Sequence, residues 1–168
     1  MPLSMYQASV PVFVKMLGNL SAILDKANAH ATAKKIDAAV LLGWRLAPDM
    51  LSLGRQIQIA ADMVKSGVAR LAGSEPPSWP DSEASIDEFK GRIQRTIAYC
   101  NEFKPAQIDG SEEREVTIKM GGNPVTFKGQ SYLLNFVIPN FFFHVTTAYG
   151  ILRHCGVEIG KKDFTGSV

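Results

Sequence analysis

An all-α fold is what this sequence predicts: a four-helix bundle with a small β-hairpin inserted between helices 3 and 4. Three observations predict it. Over four long stretches, apolar residues recur at alternating three- and four-residue steps, the period of helices that each bury one face. One short stretch, "REVTIKMGGNPVTFKG", alternates apolar and polar residues around a glycine pair, which is the pattern of a hairpin. The chain is 46% apolar and 20% charged over 168 residues, which suits one domain, 1–168, with a real hydrophobic core.

The first helix is expected from Ser4 to Ala29, on the stripe Tyr6, Val10, Phe13, Leu17, Leu20, Leu24. Pro11 falls inside it and should bend it, because proline lacks the N–H that a helix interior needs. Residues 30–47 read as a connection, with a short helix from Asp37. His30 would close the first helix, where an imidazolium favours the C-terminal dipole. The second helix is expected to open at Pro48, since proline suits a first turn, and to stop at Gly73 after Leu71. Its stripe holds Asp49, Leu53, Gln56, Ala60 and Met63. Arg55, Gln58, Asp62 and Lys65 read as a solvated polar side.

The stretch "GSEPPSWPDSEAS" is a turn-rich loop. A capping-box spacing, Ser85 to Glu88, then opens the third helix, with the stripe Ile86, Phe89, Ile93, Ile97, Cys100, Phe103 and a stop at Pro105. The hairpin covers Arg114 to Lys128, turning at Gly-Gly-Asn-Pro, and two strands alone must pack on something. The fourth helix is expected from Gln130 to His154, kinked at Pro139 and stopped by Gly156. His154 sits in its last turn, at the dipole's negative end. Trp44 and Trp79 read as loop anchors.

The fourth helix is unusual because both of its faces are apolar. One carries Leu133, Phe136, Val137, Ala148 and Ile151 together with Asn140, His144 and Thr147. The other carries Leu134, Ile138, Phe141, Phe142, Val145, Tyr149 and Leu152. A helix apolar all round is buried all round. The second face therefore needs a cover: the hairpin, the long loop, or a second copy in a homodimer. Asn140 and His144 lie one turn apart and point the same way.

The phrases "RLAPDM", "RQIQIAADM", "GVEIGKKDF" and the closing "GILRHCGVEIG" resemble the DinB-like four-helix-bundle clan, which includes metalloenzymes. They resemble more closely a bacterial domain-of-unknown-function family within it. Metal-binding members of the clan set one His on the second helix and a His-x-x-x-His pair on the last. The resemblance aligns His144 with the second His of that pair, Asn140 with the first and Gln56 with the second-helix position, with Asp49 two turns before it. It implies a degenerate metal site, because neutral amide oxygens are poor zinc donors. Asp49, Gln56, Asn140 and His144 are the candidate ligand-binding residues, and no cofactor is expected. Zinc or nickel held weakly by His144 and Asp49 is one alternative reading. A hydrogen-bonded core histidine that pins helix register is another.

Three functions stay open. The first is a small-molecule-binding or accessory protein. The second is a divergent metal-dependent, thiol-linked transferase or hydrolase. The third is a dimeric interaction module. An enzyme would need an open polar cleft at Asp49, Gln56 and His144. Composition narrows the partners: a net charge of +2 with scattered Lys and Arg offers nothing to nucleic acid. The uncharged run from Tyr132 to Leu152 is long enough to span a bilayer, but its Asn, His, Pro and Thr residues make it a buried helix rather than a membrane span. Cys100 and Cys155 read as reduced core thiols of a cytoplasmic protein, and the N-terminus as mature protein without a leader. No nucleophile elbow, phosphate loop or HExxH is present.

Overall fold

The computed structural model describes residues 3–167; Met1, Pro2 and Val168, at the ends of the expected domain and of the expected mature N-terminus, lie outside them. The chain is mostly helical with one two-stranded antiparallel hairpin. Its elements are α1 Val10–Lys34, α2 Ala38–Gly43, α3 Leu53–Leu71, α4 Ile86–Asn101, α5 Pro105–Ile108, β1 Glu115–Met120, β2 Asn123–Lys128, α6 Gly129–Tyr132, a π-helical segment Leu133–Val137, α7 Ile138–His154 and α8 Lys161–Thr165. No described helix is long and apolar enough to cross a membrane.

The long helices share one core. α3 lies most extensively against α7 and also against α4, while α1 lies against α4. Phe13, Leu17, Leu20 and Leu24 of α1, Leu53, Ile57, Val64 and Val68 of α3, Ile93 of α4 and Phe141, Ala148 and Leu152 of α7 are all buried in it. Two glycines of α3 set the helix spacing. A Cβ on Gly54 would stand 2.9 Å from the Phe89 ring, and one on Gly67 would stand 2.8 Å from Val137. α3 therefore meets α4 near one end and the π-helical segment near the other, at distances that a larger residue would widen.

Several expected boundaries move, each for a local reason. α1 begins at Val10, with residues 5–9 in turns, and Pro11 occupies its first turn, where no intrahelical N–H is needed. It continues past Ala29 to Lys34 and ends at Lys35, whose φ of 55° breaks the helix. His30 is thus inside the helix. α3 opens at Leu53, because Pro48 and Asp49 form a turn ahead of it. The Ser85–Glu88 capping box of α4 forms as expected. The hairpin pairs Glu115 with Lys128 through Met120 with Asn123. Its turn is the two glycines alone, at φ 56° and 87°, a conformation that suits glycine, while Asn123 and Pro124 belong to β2.

The last helix does not simply kink at Pro139. Five residues before α7 widen into a π-helical turn, so that Ile138 N–H reaches the Leu133 carbonyl, and Pro139 then sits in the first turn of α7. The second apolar face of α7 is covered by the chain itself. Phe141 stacks edge-on against Phe13, with ring centres 5.2 Å apart, and Tyr149 meets Phe164 of α8 at 5.7 Å. α8 is tied to α1 through Asn19 Nδ2, which donates to the Phe164 carbonyl at 2.9 Å, and through a Lys26–Asp163 ion pair. The hairpin lays Phe127 on Tyr132 and Phe136.

Candidate functional site

Gln56 of α3 and His144 of α7 are brought together. Both are buried, and His144 Nδ1 lies 2.6 Å from Gln56 Oε1. The Gln56 amide nitrogen donates to the Leu51 carbonyl at 3.1 Å, which fixes the amide with its oxygen toward the ring. An amide oxygen only accepts, so Nδ1 carries the proton and Nε2 carries a lone pair. Burial holds the His144 pKa below its ordinary value, so the ring is neutral at neutral pH.

Neither of the other two candidates is hydrogen-bonded to this pair. Asn140 turns its amide onto its own helix, donating to the Phe136 carbonyl at 2.6 Å, where the π-helical turn and Pro139 disturb the regular ladder. Asp49 is exposed in the turn before α3. Thr147 is also buried, and its hydroxyl donates to the Phe143 carbonyl at 2.7 Å.

These donors do not fit a metal ion held by three protein ligands. The Gln56 oxygen is engaged by the imidazole N–H, the Asn140 amide nitrogen is turned onto its own backbone, and Asp49 is exposed in the turn before α3. Among the described residues no group of three or more His, Cys, Asp or Glu side chains could hold an ion.

Beside the pair the surface is apolar. Phe143 is 55% exposed and packs edge-on to His144, with ring centres 5.2 Å apart. Trp44, Leu46 and Leu51, from the connection between α2 and α3, are exposed as well. That connection lines a shallow cavity of about 470 Å³ running from Ala39 to Pro48, and neither Gln56 nor His144 lines it. Trp44 meets His154 at 5.7 Å between ring centres, so the cavity wall is held against the end of α7.

On the other side of α3 lies a cluster that sequence reasoning missed. Gln58 and Lys65, expected in solvent, are buried, and so is Arg92 of α4. The Arg92 guanidinium donates to Glu83 at 2.8 Å, Asp81 at 2.9 Å, Asp62 at 3.0 Å and the Pro80 carbonyl at 3.1 Å. Its Nε is buried with no partner. Arg55 reaches Asp81 at 2.5 Å and Gln58 Oε1 at 2.6 Å, while the Gln58 amide donates to Glu83 at 2.8 Å. The Arg55 hydrogen bond, and then the Arg92 charge, hold the Asp81 carboxyl below its usual range against a partial loss of water. Burial alone would raise Glu83, but hydrogen bonds from Arg92 and Gln58 outweigh it and lower the pKa. A signal for this cluster existed: Arg92 falls three residues after Phe89 and four before Thr96, on the inward edge of its helix.

Both cysteines are free. Cys100 is buried, its thiol pushed up to about 12 by desolvation, so it is inert as a nucleophile.

Set against known proteins, the chain is similar to a solved structure described as a DinB family member protein from Shewanella denitrificans. The two share 44% identity and a TM-score of 0.88, covering 97% of this chain and 92% of the other. The model of DUF1993, a domain of unknown function, matches residues 5–165. No curated protein matches the chain.

Proposed function

The chain belongs to the DUF1993 family, and from that premise we propose that it is a single-domain, DinB-type four-helix bundle that works as a small-molecule-binding or accessory protein. The observation that supports this reading is the bond from His144 Nδ1 to Gln56 Oε1. It commits one ring nitrogen to the fold and leaves Nε2 as a neutral acceptor beside the exposed ring of Phe143. A ligand suited to that arrangement offers one hydrogen-bond donor and an apolar body. The donor chemistry favours a degenerate metal site over a working one. The transferase reading is weaker because the cavity of about 470 Å³ between Ala39 and Pro48 is apolar and shallow and lies outside the pair.

Cytoplasmic residence and a homodimer remain part of the proposal. Much of the second apolar face, which first suggested a dimer, is met by α1 and α8, so a second copy would draw on exposed apolar side chains such as Trp44, Leu46, Leu51, Leu134 and Phe143.

The test is a titration of the purified protein with small apolar molecules bearing an N–H or O–H donor, followed through the His144 ring resonances by NMR. Saturable shifts at His144 that vanish in Gln56→Ala support the reading. Elemental analysis finding one zinc or nickel per chain, lost in His144→Ala, would overturn the degenerate-site reading.

A further inference from the structure

Residues 74–84 form neither helix nor strand, and not one residue from 74 to 85 is buried. A segment of this kind has little apolar burial to hold it. Polar contacts hold it instead. Asp81 and Glu83 take hydrogen bonds from Arg55, Arg92 and Gln58, and the Pro80 carbonyl takes one from Arg92. Two cations lie over the Trp79 ring, Lys65 Nζ 4.6 Å and the Arg95 guanidinium 4.2 Å from its centre. Tyr99 meets its edge at 6.1 Å.

The same segment walls a cavity of about 380 Å³. Asp81, Glu83 and Ala84 form one side; Leu42 of α2, Arg55 and Gln58 of α3 and Phe89 of α4 contribute to the rest. Its two ends are suited to bending. At one, Gly73 follows α3 with a φ of +77°; at the other, the capping box at Ser85 restarts the helix cleanly.

We propose that residues 74–85 are a lid over this cavity, latched by Arg92 to Asp81 and Glu83, that swings open as a unit while the helices stay folded. The energetics favour local opening. Ion pairs whose carboxylates are part exposed are individually weak, and opening returns the buried Arg92 guanidinium to water. Regions held by few apolar contacts open below the cost of global unfolding. The charged groups on each packed element are Arg55, Asp62 and Lys65 from α3, Glu88, Arg92 and Arg95 from α4, and Glu75, Asp81 and Glu83 from the lid itself, with Tyr99 of α4 a further titratable neighbour. With the lid open, Arg55 and Gln58 stand over an apolar floor of Leu42 and Phe89. The ligand class that the uncovered cavity suits is a small carboxylate with an apolar body.

The test uses Trp79 as reporter. The chain has two tryptophans, so Trp44→Phe leaves Trp79 alone. In that background, acrylamide quenching and helical circular dichroism are compared at neutral pH with and without Asp81→Asn and Glu83→Gln together. The lid predicts several-fold greater quenching of Trp79 in the unlatched variant, with the helical signal unchanged. Equal protection in both proteins overturns it. Should the unlatched variant fail to fold, urea titration of the latched protein decides. Release of Trp79 at lower urea than the loss of helix supports the lid, and coincident transitions overturn it.

Discussion

α3 carries a polar cluster on each side, and the two are built on opposite plans. Toward α7 it offers Gln56 to His144, a neutral pair joined by one short hydrogen bond and leaving a lone pair over. Toward α4 it offers Arg55, Gln58, Asp62 and Lys65 to a network centred on Arg92, in which three carboxylates answer three cations. The difference teaches where chemistry and where architecture reside. With the loop in place, the ionic network holds segments together, and its groups are free for a guest only where the loop swings away. An incompletely saturated neutral pair can still accept a proton or a ligand.

The sharpest way to break this contrast is to remove each centre in turn. Arg92→Ala leaves Asp62, Asp81 and Glu83 clustered without their shared cation. It should cost about 3 kcal/mol, the low end for removing one partner of a buried pair, because its carboxylates keep some access to water. Urea unfolding measures this directly. His144→Ala should cost roughly 1–3 kcal/mol, the penalty for stranding the buried Gln56 oxygen plus a cavity. A double-mutant cycle with Gln56→Ala should show that the two losses are not additive, whereas Arg92→Ala and His144→Ala should add within about 0.5 kcal/mol.

pH separates the two clusters further. The folded pKa of His144 lies below its ordinary value of 6.5, so the unfolded chain takes up the proton first. Stability from this side is full above 6.5 and is lost as pH falls through the lowered folded value. Asp81 and Glu83 are also lowered, from 3.8 and 4.5, so their contribution is present above those values and lost only in stronger acid. Stability measured against pH should therefore fall in two stages, with His144→Ala removing the first and Asp81→Asn with Glu83→Gln reducing the second. The smallest effect expected is at Asn140. Asn140→Ala forfeits one hydrogen bond to the Phe136 carbonyl, about 1 kcal/mol, and should leave the His144 resonances where they are. A large shift of those resonances would tie Asn140 to the pair after all.

Much of the fold was legible because burial imposes a period. The stripes of α1, α3 and α4 and the alternation of the hairpin all have one dominant face. The helix starts were less legible, since Pro11 and Pro48 are each compatible with a helix interior, a first turn or the turn before it, and only packing chooses. The π-helical turn left no sign beyond Pro139. So the sequence gives no hint that the Asn140 amide nitrogen donates to the Phe136 carbonyl. The misreading of Gln58 and Lys65 has a different cause. A row of polar residues looks alike whether it faces water or a polar loop, and the loop that covers them is distant in sequence. His144 was legible because an imidazole on an apolar stripe must find a partner, and Gln56 was within its reach.

The clasp of α8 onto α1 bears on how the chain is made. α1 is made before the elements it meets, being in contact chiefly with α4 and with α8, which follows every other described element along the chain. Asn19 and Lys26 find their partners, Phe164 and Asp163, only once the chain has been made through α8. Until then part of the apolar stripe of α1 waits uncovered, so the nascent chain is exposed to aggregation and to chaperones before α8 docks.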